Sequence, residues 1–258
     1  MDTRFWGPSG WKLLHTMSFL YDPKNKDDIS EFLATLPFIL PCKFCRYSLT
    51  CYYKEHPYEN VLHSTKSFSK WMYIIHNCVN NKLRKQGLNP TSDPTFNSVE
   101  TFYRKWLNKG VTDCVLSTYW DFLFSVAYNH PKEASKQSLP MPDCPPEAIN
   151  CKDSSEKNKW NTMTASERMP YYRRFWELLP VVMPVFKWNE APNLTCRKST
   201  IAWLWRQRCA IQPDRKDPYK EVCDRVASFA SGCGASKRAR TCRKKHSVSK
   251  TRKVKKHN

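Results

Sequence analysis

No apolar run in this 258-residue chain reaches the roughly 18 residues that a helix needs to cross a bilayer, which excludes a membrane-spanning helix. The N-terminus, Met1-Asp2-Thr3-Arg4-Phe5-Trp6, lacks the charged-then-apolar pattern of a secretory signal, so export by the ordinary route is not expected. Strand-like alternation is missing from residues 1 to 90, which argues against a sheet. Acidic residues are absent from Lys237 to the end, a stretch with eleven Lys or Arg; of the net charge of +20 this leaves +9 for the first 236 residues. Only one Cys-x-x-Cys occurs, Cys42 to Cys45, and structural zinc usually draws on a second close pair.

What is present is unusual in its own way. The chain can bury one large core or two small ones. Aromatic residues make up 14% and ten are Trp, which excludes disorder over most of the length. Twelve cysteines sit badly in a leaderless protein, because cytosolic thiols are kept reduced. Either they bind metal or the protein makes its own disulfides. The basic end, flanked by Gly232, Gly234 and serines, reads as a disordered tail over 233–258, suited to nonspecific contact with nucleic acid or another polyanion.

The body reads as helices. Trp11, Leu14, His15, Ser18 and Phe19 recur at i, i+3, i+4, i+7 and i+8, with Pro8 and Ser9 suited to a helix start. A second helix is predicted over 28–36, capped by Asp27 or Asp28, with Pro37 near its end. Pro41 opens a third, which puts Cys42 in its first turn. A fourth runs over 67–85 and stops before Gly87, with Trp71, Ile75, Cys78 and Val79 inward and Asn77, Asn80 and Lys82 on neighbouring stripes. The expected fold is an all-α antiparallel bundle.

The chemistry starts at Pro41-Cys42-Lys43-Phe44-Cys45-Arg46. Unpaired backbone N–H groups and the dipole at a helix N-terminus stabilise a thiolate, and Lys43 and Arg46 add positive charge. Cys42 is the candidate for exchange with an incoming thiol; Cys45, a turn deeper, is then released as a thiolate able to pass two electrons on. His76-Asn77-x-Val79-Asn80-x-Lys82-Leu83 supplies polar groups at helical spacing that can hold an acceptor.

Taken in order, Trp6-Gly7-Pro8-x-x-Trp11-x-x-x-His15, Pro41-Cys42-x-x-Cys45-Arg46 and Trp71-x-x-x-x-His76-Asn77-x-Val79-Asn80-x-Lys82-Leu83 resemble the Erv/ALR family of FAD-linked sulfhydryl oxidases over residues 5 to 90. The resemblance implies a four-helix FAD-binding bundle. Trp11, His15, Trp71, His76, Asn77 and Asn80 would line the flavin and adenine sites, with Val79 and Leu83 carried along in the same motif. Lys82 and Lys85 match basic positions near the FAD phosphates, and Tyr21 is a further candidate on the first helix. Cys42 would take the interchange step and Cys45 would face the flavin, which passes electrons from protein thiols to O2 and gives H2O2. A homodimer is implied as well. Two departures stand out: Tyr73 replaces a structural cysteine of the family, so the staple made there is absent, and Leu83-Arg84-Lys85 replaces Leu-Gly-Lys.

Other readings of the same residues exist. Trp11, Trp71 and His15 are ordinary core residues outside the motif trio. Cys42, Cys45, His76 and Cys78 could instead coordinate zinc, which makes a non-catalytic zinc or nucleic-acid-binding scaffold the alternative function. Cys51 and Cys78 read most simply as buried free thiols.

The second half echoes the first. Phe32-x-x-x-Leu36-Pro37 reappears as Phe175-x-x-x-Leu179-Pro180, with Pro41 matched by Pro184, Cys42 by Val185 and Cys45 by Trp188. Trp120 to Phe124 matches Trp11 to His15, with Phe124 in place of His15, and 203–209 stands for the fourth helix without His-Asn. The expected organisation is an FAD-binding domain over 1–112, a helical domain over 113–232 that is a degenerate copy resembling the paired arrangement in quiescin-type oxidases, and the tail. Between them, 99–107 is a helix with Phe102, Tyr103 and Trp106 closing the bundle, and 132–158 is a long exposed loop. For a second, mobile cysteine pair the candidates are Cys144 with Cys151, or two of Cys223, Cys233 and Cys242; Cys196 and Cys209 read as a structural bridge. The layout resembles oxidases of large nucleocytoplasmic DNA viruses, placing the protein in the host cytoplasm and virion, with the mitochondrial intermembrane space as the alternative.

Overall fold

Asp2 opens the first helix by accepting a hydrogen bond from the Arg4 amide at 2.9 Å. The computed structural model describes residues 1–88, 91–131, 165–215 and 217–230, and their regular structure is helical throughout. In chain order the helices are α1 (Thr3–Leu20), α2 (Lys26–Ile39), α3 (Lys43–Glu55), α4 (Thr65–Lys85), α5 (Phe96–Leu107), α6 (Asp113–Leu116), α7 (Trp120–Tyr128), α8 (Ala165–Val182), α9 (Arg197–Ile211) and α10 (Tyr219–Ser228). The tail, the 132–158 segment, and Cys144, Cys151, Cys233 and Cys242 lie outside the described residues.

Helix boundaries differ from the sequence reading where tertiary contacts rescue backbone groups. α2 begins at Lys26 with Asn25 as its N-cap, so Asp27 and Asp28 occupy the first turn, facing the positive end of the helix dipole, instead of capping it. It also continues past Pro37 to Ile39. A proline amide cannot bond the carbonyl four residues back, here that of Leu33. The Tyr53 hydroxyl of α3 donates to that carbonyl at 3.3 Å and keeps it satisfied. The same device recurs in α8, where Pro180 frees the Trp176 carbonyl and Trp188 Nε1 donates to it at 2.9 Å. α4 stops before Gly87, whose φ of 66° suits glycine, while the Leu88 amide reaches back to the Leu83 carbonyl at 2.9 Å.

Matched segments of the two halves lie against each other. α2 packs along α8, with Phe32 and Phe175 stacked at a ring separation of 5.3 Å. α1 packs on both α4 and α7, and α7 in turn on α9. A single apolar core runs through both halves, with Phe32, Trp120, Trp176 and Trp203 all fully buried. Gly10 allows the α1–α7 approach, because a Cβ there would sit 3.0 Å from Phe122 Cδ2. Gly10→Ala is therefore expected to cost about 1–3 kcal/mol by forcing the ring aside, measured as a fall in the denaturant midpoint at unchanged slope.

The predicted bridge between Cys196 and Cys209 does not form. Cys196 caps the start of α9 and Cys209 lies in its last turn, so the helix itself holds them about 20 Å apart, beyond any disulfide. Where the family has a cysteine staple, Tyr73 ties α4 to the next segment without one: its hydroxyl donates to the Pro94 carbonyl at 2.9 Å and its ring meets Phe96 edge-on.

Candidate active site

α1, α3 and α4 enclose a cavity of about 600 Å³ with mostly apolar walls, closed by Leu36 and Leu40 from the end of α2, Tyr103 of α5 and Phe122 of α7. Cys45, Trp11, Trp71, His76, Val79, Asn80, Lys82 and Leu83 are all on its walls. Cys42, His15, Tyr21, Asn77 and Lys85 are not. Of the predicted closing stripe only Tyr103 reaches the cavity, and Phe102 is 55% exposed.

The thiol pair sits where α2 hands over to α3. Cys42 is the N-cap of α3, one position before the predicted first turn, and Cys45 lies within that turn. Cys42 is held as a thiol whose pKa is lowered to about 6. The Cys45 thiol beside it contributes most, then the Cys45 amide, the Lys82 ammonium and the Arg46 guanidinium, against burial, which opposes them. Lys82 reaches from α4 to donate to Ser48 Oγ at 2.7 Å, and its ammonium acts on the Cys42 thiol. Lys82→Met is expected to raise the pH midpoint of Cys42 alkylation and to slow dithiol oxidation severalfold near neutral pH, with recovery at higher pH.

Behind the cavity wall, His15 Nε2 lies 3.0 Å from His76 Nδ1, and His76 stacks on Trp11 at 4.0 Å. Burial drives the His15 pKa down to about 3, with His76 adding to the effect, and burial brings His76 to about 4 despite the nearby Asp93. Both rings are therefore neutral at neutral pH, one donating its N–H to the other. Tyr21 serves the fold: its hydroxyl donates to the Leu62 carbonyl at 2.7 Å, and its own carbonyl accepts from Thr65 at 2.8 Å. Asn77 is half-buried and Lys85 exposed on α4. Cys51 and Cys78 are half-buried rather than buried, and neither is in a disulfide.

Several wall residues escaped the sequence reading. Ser48 and Tyr52 follow Cys45 at i+3 and i+7, so the helix period carried that signal. Asp93, which is off the wall but holds Asn80, has no such signature. Its carboxylate accepts from Asn80 Nδ2 at 2.7 Å and pairs with Arg84 at 2.5 Å. This fixes the amide orientation and leaves Asn80 Oδ1 as the group able to accept from a ligand.

The FAD implied by the sequence fits this lining. Trp6 Nε1 and Gln86 Oε1, a donor and an acceptor, are buried on the wall with no partner, which a polar ligand would supply. Aromatic faces and apolar side chains suit flat rings, and Lys82 supplies a cation. Zinc is not supported: among the described residues no three His, Cys, Asp or Glu side chains converge, and His76 is engaged by His15 and Trp11.

Comparison with known proteins agrees with this geometry. The family model described as Erv1 / Alr family matches residues 8–106. An FAD-linked sulfhydryl oxidase of African swine fever virus (isolate Pig/Kenya/KEN-50/1950) is 32% identical over 85 residues, 31% of this chain and 70% of the relative. A putative FAD-linked sulfhydryl oxidase of Invertebrate iridescent virus 6 is 31% identical over 94 residues, 33% of this chain and 85% of its own. The mitochondrial FAD-linked sulfhydryl oxidase of Saccharomyces cerevisiae is 32% identical over 88 residues, 33% of this chain and 46% of its own. No solved structure matches the chain. With a relative above 30% identity matched over more than two thirds of its length, the chain belongs to the Erv1/Alr family.

Proposed function

We propose that this chain, an FAD-linked sulfhydryl oxidase, oxidises pairs of protein thiols to disulfides through Cys42 and Cys45 and delivers the electrons to O2, giving H2O2. The observation that carries the assignment of roles is the split of the pair: Cys45 is on the cavity wall and Cys42 is not. An incoming substrate thiolate attacks Cys42 Sγ of the oxidised pair and releases Cys45 as a thiolate. A second substrate thiolate then displaces Cys42, leaving a substrate disulfide and a reduced pair. FAD, when bound, supplies the two-electron acceptor that returns the pair to the disulfide. Lys82 and Arg46 hold negative charge on the thiols, Asn80 presents an acceptor oxygen, and Trp11, Trp71 and His76 would bracket the flat rings.

The second half reads as a degenerate copy of the first over 113–232, with Phe124, Val185 and Trp188 at the positions matching His15, Cys42 and Cys45. Support comes from the juxtaposition of matched helices and the shared proline device of α2 and α8. Because α7 and α8 cover faces of α1 and α2, a homodimer would use other faces. Among the described residues no helix is long and apolar enough to cross a membrane. The viral relatives support action in host cytoplasm and virion; the yeast relative supports the intermembrane space as a second reading. The charge of the basic tail supports contact with polyanions.

The test is a visible absorption spectrum of the purified chain, before and after dithiothreitol, with oxygen monitored. A flavin band that bleaches on reduction, with oxygen consumed and peroxide formed, supports the reading. A colourless protein that consumes no oxygen overturns it.

A further inference from the structure

The last turn of a helix leaves carbonyls without intrahelical partners. At the end of α2 those carbonyls lead directly into the Cys-x-x-Cys motif, and three side chains meet them within 3.1 Å, with Asn129 Nδ2 further off at 3.5 Å from the Leu40 carbonyl. Arg168 Nε donates to the Phe38 carbonyl at 3.0 Å. The Tyr172 hydroxyl lies 3.1 Å from the Ile39 carbonyl. Arg46 Nη1 donates to the Leu40 carbonyl at 2.8 Å. Two of the three come from α8, in the half of the chain that carries no redox motif. Arg168 is itself locked: Nη2 donates to the Tyr172 hydroxyl at 3.0 Å, and the guanidinium carbon lies 5.3 Å from the Tyr172 ring centroid. One position earlier on α8, Tyr171 stacks flat on Phe38 at a ring separation of 3.5 Å.

We propose that Arg168 is a positioning residue for the Cys42–Cys45 pair: from the second half of the chain it fixes the backbone leading into the pair and adds a second guanidinium charge that favours the reduced, thiolate form. The proposal rests on the reading of these cysteines as the redox pair. Arg46 is buried, and among the described residues neither it nor Arg168 is paired with a carboxylate. Burial, and then repulsion from Arg168, pull the Arg46 pKa down to about 10, while the Cys42 and Cys45 thiols act in the opposite direction. The like charges of the buried Arg46 and the half-buried Arg168 repel each other, and the anion that offsets them beside Arg46 is a thiolate, which exists only when the pair is reduced. A disulfide carries no charge to answer the guanidinium pair. The second half therefore raises the reduction potential of the pair, since stabilising the reduced form makes a dithiol couple more oxidising.

The test reads the thiol–disulfide equilibrium, not turnover. The full chain is equilibrated with glutathione buffers without oxygen, so that two glutathione thiols reduce the Cys42–Cys45 bond and leave glutathione disulfide; the pair is then alkylated and quantified by peptide mass spectrometry. Arg168→Gln keeps a donor for Phe38 and loses the charge. It is expected to shift the equilibrium about tenfold toward the disulfide, or about 30 mV. Arg168→Lys keeps the charge and is expected to stay within about threefold of the parent, whereas a purely structural role predicts that the two variants behave alike. Gln and Lys variants that both match the parent, or shift equally, overturn the proposal. Should the Gln variant not fold, Tyr172→Phe loosens the guanidinium without removing the ring, and an unshifted equilibrium there overturns it as well. A parent chain whose Cys42 and Cys45 never form a disulfide overturns the oxidase reading itself, which separates the two failures.

Discussion

Replacing Cys45 by Ser is expected to lower dithiol oxidation by about 10³-fold or more while the chain still binds FAD, because a serine hydroxyl cannot ionise near neutral pH to carry the electron pair. Cys42→Ser is expected to lose as much, since no disulfide then exists for substrate to attack. The two variants differ in what remains. In Cys45→Ser the surviving thiol at Cys42 stands off the cavity wall and is expected to react with a thiol reagent at the same rate whether or not FAD is bound. In Cys42→Ser the surviving Cys45 faces the cavity and is expected to react slowly while FAD is bound. Equal reactivity of the two remaining thiols would remove the division of labour between them, whatever the loss of turnover.

Acid is expected to destabilise the chain through the His15–His76 pair. Both folded pKa values, about 3 and about 4, lie below the ordinary 6.5 because burial disfavours the charged rings. Above pH 6.5 both rings are neutral whether folded or unfolded, and the pair adds no pH dependence. Below it the unfolded chain takes up protons that the folded chain refuses, so stability falls as pH drops from 6.5 toward 4 and 3. The upper limit is about 1.4 kcal/mol per pH unit for each ring. His15→Phe places at this position the residue that the second half carries at the matching one, Phe124. It should roughly halve the slope of unfolding free energy against pH in that window. The measurement is chemical denaturation of parent and variant across pH 4 to 7; superimposable slopes would show that the rings titrate normally.

The helices were legible because their signals are local. Apolar residues three and four apart and Gly87 after α4 are read within a turn or two of chain, although α4 starts two residues before the predicted 67, capped by Ser64. The same holds for the place of Cys42 and Cys45 at a helix start, although the structure puts Cys42 at the cap and not in the predicted first turn. Where the sequence reading failed, a distant group had intervened. α2 runs through Pro37 because Tyr53 answers the orphaned carbonyl; the Cys196–Cys209 bridge is the exception, excluded locally by the one straight helix that holds the two apart.

The site divides along the same line. By itself the sequence determined the fold class, a Cys-x-x-Cys at a helix start and most of the cavity wall on α4, since each is set by residues a fixed helical period apart. Only the tertiary structure decided that Lys82 faces Cys42, that Asp93 orients Asn80, that His15 sits behind His76, and that Arg168 caps the backbone into the redox pair. Those relations join elements as far apart as α2 and α8. Charge and hydrogen-bond geometry act over a few ångströms of space without regard to separation along the chain, so no period in the sequence records them.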